Sequence, residues 1–110
     1  ENAKMHAIVE DVVEASHNGI ISWEVKSNIQ PILLQGKDDY EKTKERWIIF
    51  EEYFTEKKIK FKKIVSIEGD IISKLVNLIY ILDYASIYLA VINKIDPTPV
   101  YSIDYIKSRL

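Results

Sequence analysis

Two histidines, His6 and His17, carry the only imidazoles in this chain, and imidazole is the side chain best suited to exchange protons near neutral pH. His17 stands beside Asn18, just past the expected end of a helix. A histidine there can serve as an acid or base, or it can do no more than meet the helix dipole. His6 falls off the apolar stripe of the same segment and reads as a surface residue. Asp83 lies among apolar residues of a long segment, and a buried carboxylate must be paired or hydrogen-bonded. We expect it to accept from backbone amides or a nearby lysine. No cysteine is present, so thiolate chemistry and a disulfide framework are excluded, and two histidines without ligand-like spacing do not make a zinc site. The run Lys57-Lys58-Ile59-Lys60-Phe61-Lys62-Lys63 is basic with acidic residues close by on both sides. It reads as a solvated connection from helix to strand rather than a phosphate groove.

The elements that must position these groups follow from periodicity. A length of 110 residues with 47% apolar content fits one domain, and a formal net charge of −2 provides no field to attract nucleic acid or anionic lipid. Residues 2–15 place Met5, Ile8, Val9, Val12 and Val13 on one helical face. Residues 20–25, with Trp23, read as a loop or helical turn. Residues 29–34 form a compact strand-type run, with Pro31 near its start. Residues 39–58 read as a helix capped by Asp38 or Asp39, with Trp47, Phe50, Tyr53 and Phe54 as core or interface aromatics. A second strand over 62–67 runs into Glu68-Gly69-Asp70, a turn and helix cap.

The segment 71–93 then reads as a helix that is apolar nearly all round and therefore buried. Lys74, Asp83 and Lys94 argue against a membrane span over 71–95. Asp96-Pro97-Thr98-Pro99 stops that helix, and a last helix covers 100–109. Alternation of strand and helix implies an α/β fold with parallel strands covered by helices. Two strands are too few for an independent sheet, so either further strands are hidden in the sequence or another domain or subunit supplies the neighbours.

Four stretches together carry a family likeness: Glu1-Asn2-Ala3-Lys4; Ser16-His17-Asn18-Gly19-Ile20 leading to Trp23; Asp83-Tyr84-Ala85-Ser86-Ile87-Tyr88-Leu89-Ala90; and Ile95-Asp96-Pro97-Thr98-Pro99-Val100 with Ile103 and Lys107. In this order the chain resembles the C-terminal region of bifunctional phosphoglucose/phosphomannose isomerases, members of the sugar isomerase (SIS) fold superfamily. The resemblance implies a partial parallel sheet covered by helices, the C-terminal half of a two-domain enzyme. Residues 1–110 are then one C-terminal SIS-like domain, excised from a longer protein whose missing N-terminal SIS domain holds most of the sugar-phosphate site.

The polar opening Glu1 to Lys4, without a secretory pattern, reads as cytoplasmic, and neither nucleic acid nor membrane is an expected partner. The resemblance further implies a homodimer that needs no metal or redox cofactor. Its reaction interconverts glucose 6-phosphate or mannose 6-phosphate with fructose 6-phosphate through an enediol. By position, Glu1 resembles the carboxylate base, His17 the ring-opening acid/base and Lys107 the lysine that assists at the ring oxygen. Glu1 and Lys107 are expected within about 12 Å of each other in one subunit, while His17 reaches across a dimer interface. Two departures stand out: Gly19 where the family commonly has glutamate, and Gln35-Gly36 where it commonly has Arg-Asp. A non-catalytic sugar-phosphate-binding or dimerisation module of the same fold is the rival reading.

Overall fold

A computed structural model describes residues 2–25 and 28–110. The elements in chain order are α1 (Val12–Ala15), a 3-10 helix (Gly19–Glu24), β1 (Ile32–Gln35), α2 (Glu41–Glu56), β2 (Lys62–Val65), α3 (Ile71–Ile92) and α4 (Tyr101–Lys107). They divide into two compact units, Ile8–Leu78 and a second made of Glu1–Ala7 with Ile79–Leu110.

In the first unit β1 and β2 pair in parallel, Ile32 opposite Lys62 and Gln35 opposite Val65. Pro31 stands just before β1, where its missing N–H costs the ladder nothing and its carbonyl accepts from Lys62 N at 3.0 Å. A parallel pair cannot be closed by a hairpin, so α2 carries the chain back. The helix presents Phe50 and Phe54 to the sheet, and these bury with Leu33 as the core. Trp23 from the 3-10 helix meets Phe54 edge to face at 5.4 Å between ring centroids, and Phe61 approaches it at 5.8 Å. Leu33 faces this core, whereas Ile32 and Leu34 on the opposite face of β1 are exposed. An Ile-Leu-Leu run is the pattern of a strand covered on both sides.

Several expectations need correction. The helix expected over 2–15 shrinks to Val12–Ala15 because Asp11 accepts from the amides of Val13 and Glu14, which starts the helix there. Met5, Ile8 and Val9 keep helical spacing yet are exposed, and Lys4 sits at a φ of 51°, outside any right-handed helix. Neither Asp38 nor Asp39 caps α2. Tyr40 holds that position without a side-chain cap; Asp39 turns back to accept from Gly36 N at 2.9 Å, and Asp38 pairs with Lys74 at 2.7 Å.

Asp70 does cap α3, accepting from Ser73 N at 2.8 Å. That helix, expected as buried, buries only Ala90 among its described residues, and Asp83 is exposed rather than sequestered. By length and composition α3 could also cross a bilayer. The burial expectation fails because apolar character on every side needs protein on every side, and this chain leaves most of α3 uncovered.

Helices α2 and α3 end alike. Ile59 N bonds Phe54 O at 2.8 Å and Lys58 N bonds Thr55 O; Ile95 N bonds Ala90 O at 2.8 Å and Lys94 N bonds Val91 O. Both are Schellman ends, with Lys58 and Lys94 in the left-handed position at φ 57° where glycine is usual. Replacing Lys58 by glycine relieves that conformation, and urea unfolding should show a gain of about 1 kcal/mol. Phe54→Ala removes the centre of the aromatic cluster and should cost about 3–5 kcal/mol in the same measurement.

Candidate functional site

His17 leaves α1 on a tight turn in which Glu14 O accepts from both His17 N at 3.0 Å and Asn18 N at 2.9 Å. Its imidazole is exposed. Asn18 Oδ1 lies 3.2 Å from His17 Nδ1, and Asn18 Nδ2 donates to Glu14 Oε1 at 2.8 Å. Arg46 on α2 donates to Ser16 Oγ at 2.7 Å, tying this turn to the aromatic-bearing helix. Gly19 opens the 3-10 helix, and a Cβ there would stand 2.2 Å from Glu10 Oε2. The carboxylate of Glu10 thus fills the space that any larger residue at 19 would claim.

Gly36 follows the same pattern at the carboxyl end of β1, where a Cβ would stand 2.2 Å from Asp39 Oδ1. Ligand crevices of open α/β sheets lie at this end of the strands. Here a depression of about 210 Å³ is lined by Gln35, Gly36, Lys44, Trp47 and Lys63 among others. Glu51 anchors its floor: Lys63 Nζ pairs with both carboxylate oxygens at 2.8 and 2.9 Å, and Gln35 Nε2 donates at 2.9 Å. Burial pushes the Glu51 carboxyl up, but the hydrogen bonds from Lys63 and Gln35 outweigh it and hold the group below its ordinary value. The basic run lines a second, broader depression of about 460 Å³, with Lys58, Lys60 and Lys62 on it while Ile59 and Phe61 pack against the core.

The other unit contains Lys107, the last residue of α4, with an exposed side chain. Glu1 lies outside the described residues, and so does its expected closeness to Lys107. The residues next to Glu1 are described. Asn2 Nδ2 donates to Ser86 Oγ on α3 at 2.9 Å, and Lys4 Nζ donates to the carbonyls of Pro97 and Pro99. Ala3 is buried between these anchors, and Ala90 is fully buried.

Three of the four stretches that carried the family likeness therefore meet in one unit, while His17 belongs to the other. Sequence reasoning assigned no role to Asn2, Lys4 or Ser86. Their membership of the motif stretches was the available signal. Among the described residues no group of three His, Asp or Glu side chains is placed to hold a metal ion.

The model of the family described as bacterial phospho-glucose isomerase C-terminal SIS domain matches residues 1–110. A bifunctional phosphoglucose/phosphomannose isomerase of Caldicellulosiruptor bescii is 31% identical over 114 residues, an alignment that takes in 100% of this chain and 34% of the relative. The chain thus spans about a third of the length of that curated relative. No solved structure matches it.

The depressed Glu51 carboxyl ties stability to pH. A group held below its unfolded value contributes stability above that unfolded value and loses it as pH falls through the folded one. The thermal midpoint should therefore drop on acidification below about pH 4.5, near the ordinary glutamate range. In Glu51→Gln this acid limb should be shallower, which calorimetry across pH 3–6 would register as a smaller fall.

Proposed function

The chain belongs to the family of bacterial phospho-glucose isomerase C-terminal SIS domains, and from that membership we propose that it is the C-terminal domain of an aldose-ketose isomerase acting on hexose 6-phosphates. In this reading residues 1–110 work as one domain. They complete a site whose phosphate-binding part lies in an N-terminal SIS domain. The observation that carries the proposal is the alignment of the whole of this chain with 34% of a relative described as a bifunctional phosphoglucose/phosphomannose isomerase.

The reaction exchanges glucose 6-phosphate or mannose 6-phosphate with fructose 6-phosphate, which requires ring opening and a proton shift between C1 and C2. Glu1 is the carboxylate that carries the proton between those carbons. His17 is the acid/base at the ring oxygen, and Lys107 is the cation that assists there. The exposed imidazole of His17 and the exposed ammonium of Lys107 suit groups that meet substrate or a neighbouring subunit. The bonds of Asn2 to Ser86 on α3 and of Lys4 to the Pro97 and Pro99 carbonyls hold one of the motif stretches against two others, which supports a common role for them.

The uncovered faces of α3 and β1 fit a homodimer and a second domain that supply the missing neighbours. Gly19 favours a second reading, a non-catalytic sugar-phosphate-binding or dimerisation module. It removes a glutamate that the family commonly has beside the histidine.

Coupled assays with each hexose 6-phosphate separate the two readings. The full-length protein should turn over at least one of them. His17→Gln should lower kcat by about 100-fold or more, the scale of a lost general acid/base. The 110-residue chain alone should be inactive and should associate in analytical ultracentrifugation. An inert full-length protein would leave the binding module as the function, and turnover by the isolated chain would refute the two-domain site.

A further inference from the structure

The turn that carries His17 contains a chain of side-chain contacts with one self-consistent pattern of donors and acceptors. Asn18 Nδ2 lies 2.8 Å from Glu14 Oε1, and Asn18 Oδ1 lies 3.2 Å from His17 Nδ1. An ionised carboxylate only accepts hydrogen bonds, so the amide nitrogen of Asn18 must be the end that faces Glu14. The carboxamide is planar, which turns its oxygen toward the imidazole. An amide oxygen also only accepts, so the bond to His17 requires a hydrogen on Nδ1. In the neutral ring that leaves Nε2 with the free lone pair. Flipping the amide would set oxygen against carboxylate, acceptor against acceptor, and would present donors to Nδ1.

We infer that Glu14 is a positioning residue that acts through Asn18 to set the His17 tautomer, making Nε2 the nitrogen that exchanges protons with a substrate oxygen. The inference deepens the proposed function and rests on its assignment of His17 as the ring-opening acid/base. Local backbone geometry supports it. Glu14 and Asn18 are four residues apart in the chain, the spacing that brings side chains together on one face of a helical turn. The same Glu14 also accepts through its carbonyl from His17 N and Asn18 N, while Asp11 holds its amide at 3.0 Å. One residue therefore fixes the main chain of the turn and the side chain that orients the ring.

The pattern also survives catalysis. Protonation at Nε2 gives an imidazolium whose Nδ1–H still bonds Asn18, and loss of that proton restores the starting tautomer. At 3.2 Å and in contact with solvent, the bond to Nδ1 is at the long end of the usual range. The effect is accordingly a bias of the tautomer population and not a lock. Free histidine in water prefers the Nε2–H form, so the bias runs against the solution preference and is measurable.

The test uses the full-length protein labelled with 15N-histidine, at a pH well above the imidazole titration, with His17 assigned by loss of its signals in His17→Gln. We expect Nδ1 to resonate as a protonated nitrogen and Nε2 as an unprotonated one. Glu14→Ala and Asn18→Ala should move the population toward the Nε2–H form. Glu14→Gln, whose side-chain oxygen still accepts from Asn18, should keep the original spectrum.

In the coupled assay Glu14→Ala should lower kcat by about ten-fold with KM little changed, part of the loss expected of a misplaced acid/base, and Glu14→Gln should restore it. A His17 already in the Nε2–H form, or one indifferent to Glu14→Ala, would overturn the inference even if the enzyme is active. Full activity in His17→Gln would overturn the catalytic assignment alone, because the tautomer measurement does not depend on turnover.

Discussion

Parallel pairing of two short strands is the constraint on which the Ile8–Leu78 unit depends. The strands run in the same direction, so the chain must travel the length of the sheet before it can pair again, and α2 is that return path. A helix in this position has to bury one face on the strands. The aromatic spacing of Phe50 and Phe54 provides that face, and Leu33 is the strand residue that meets it. The Schellman end at Lys58 then turns the chain so that Ile59 and Phe61 enter the same cluster before β2 begins. Trp23 closes the cluster from the 3-10 helix that follows the His17 turn. The position of the histidine is thereby linked to the core through only a few residues of chain.

The second unit is organised by polar anchors rather than by an aromatic cluster. Asn2 reaches Ser86, and Lys4 reaches the carbonyls that bracket Thr98. Both contacts join residues from opposite ends of the chain, and both require close approach. Small residues permit it: Ala3 and Ala90 are the buried positions there. The two prolines supply carbonyls in a segment that cannot continue a helix, so Lys4 finds acceptors that no helical ladder has taken. Asp96 shapes the same segment by accepting from Thr98 N, a bond that holds its carboxyl below the ordinary range.

Gly19 and Gly36 share a physical arrangement. At Gly19 and at Gly36 a carboxylate from elsewhere in the chain, Glu10 and Asp39 respectively, occupies the volume next to the bare Cα. At each position the bare Cα leaves space that an acidic group fills. The local charge beside the His17 turn is carried by Glu10 and Glu14. Electrostatics around an imidazole depends on where carboxylates end in space, and less on which residue number bears them.

The sequence by itself determined the order of strands and helices, the parallel relation implied by that order, the aromatic face of α2, the Asp70 cap and the stop at Asp96-Pro97-Thr98-Pro99. These are local properties of spacing and backbone chemistry, legible within a few turns of chain. It also carried the family likeness that singled out Glu1, His17 and Lys107. Tertiary structure alone decided the rest. Helical spacing over residues 2–15 did not make a helix, because Met5, Ile8 and Val9 have no surface to bury against and Asp11 starts the helix late. The apolar length of α3 did not make it buried, since burial belongs to the neighbours and not to the helix. Anchors such as Asn2 to Ser86 span 84 positions, beyond the reach of any periodicity, and appear only when the chain is folded.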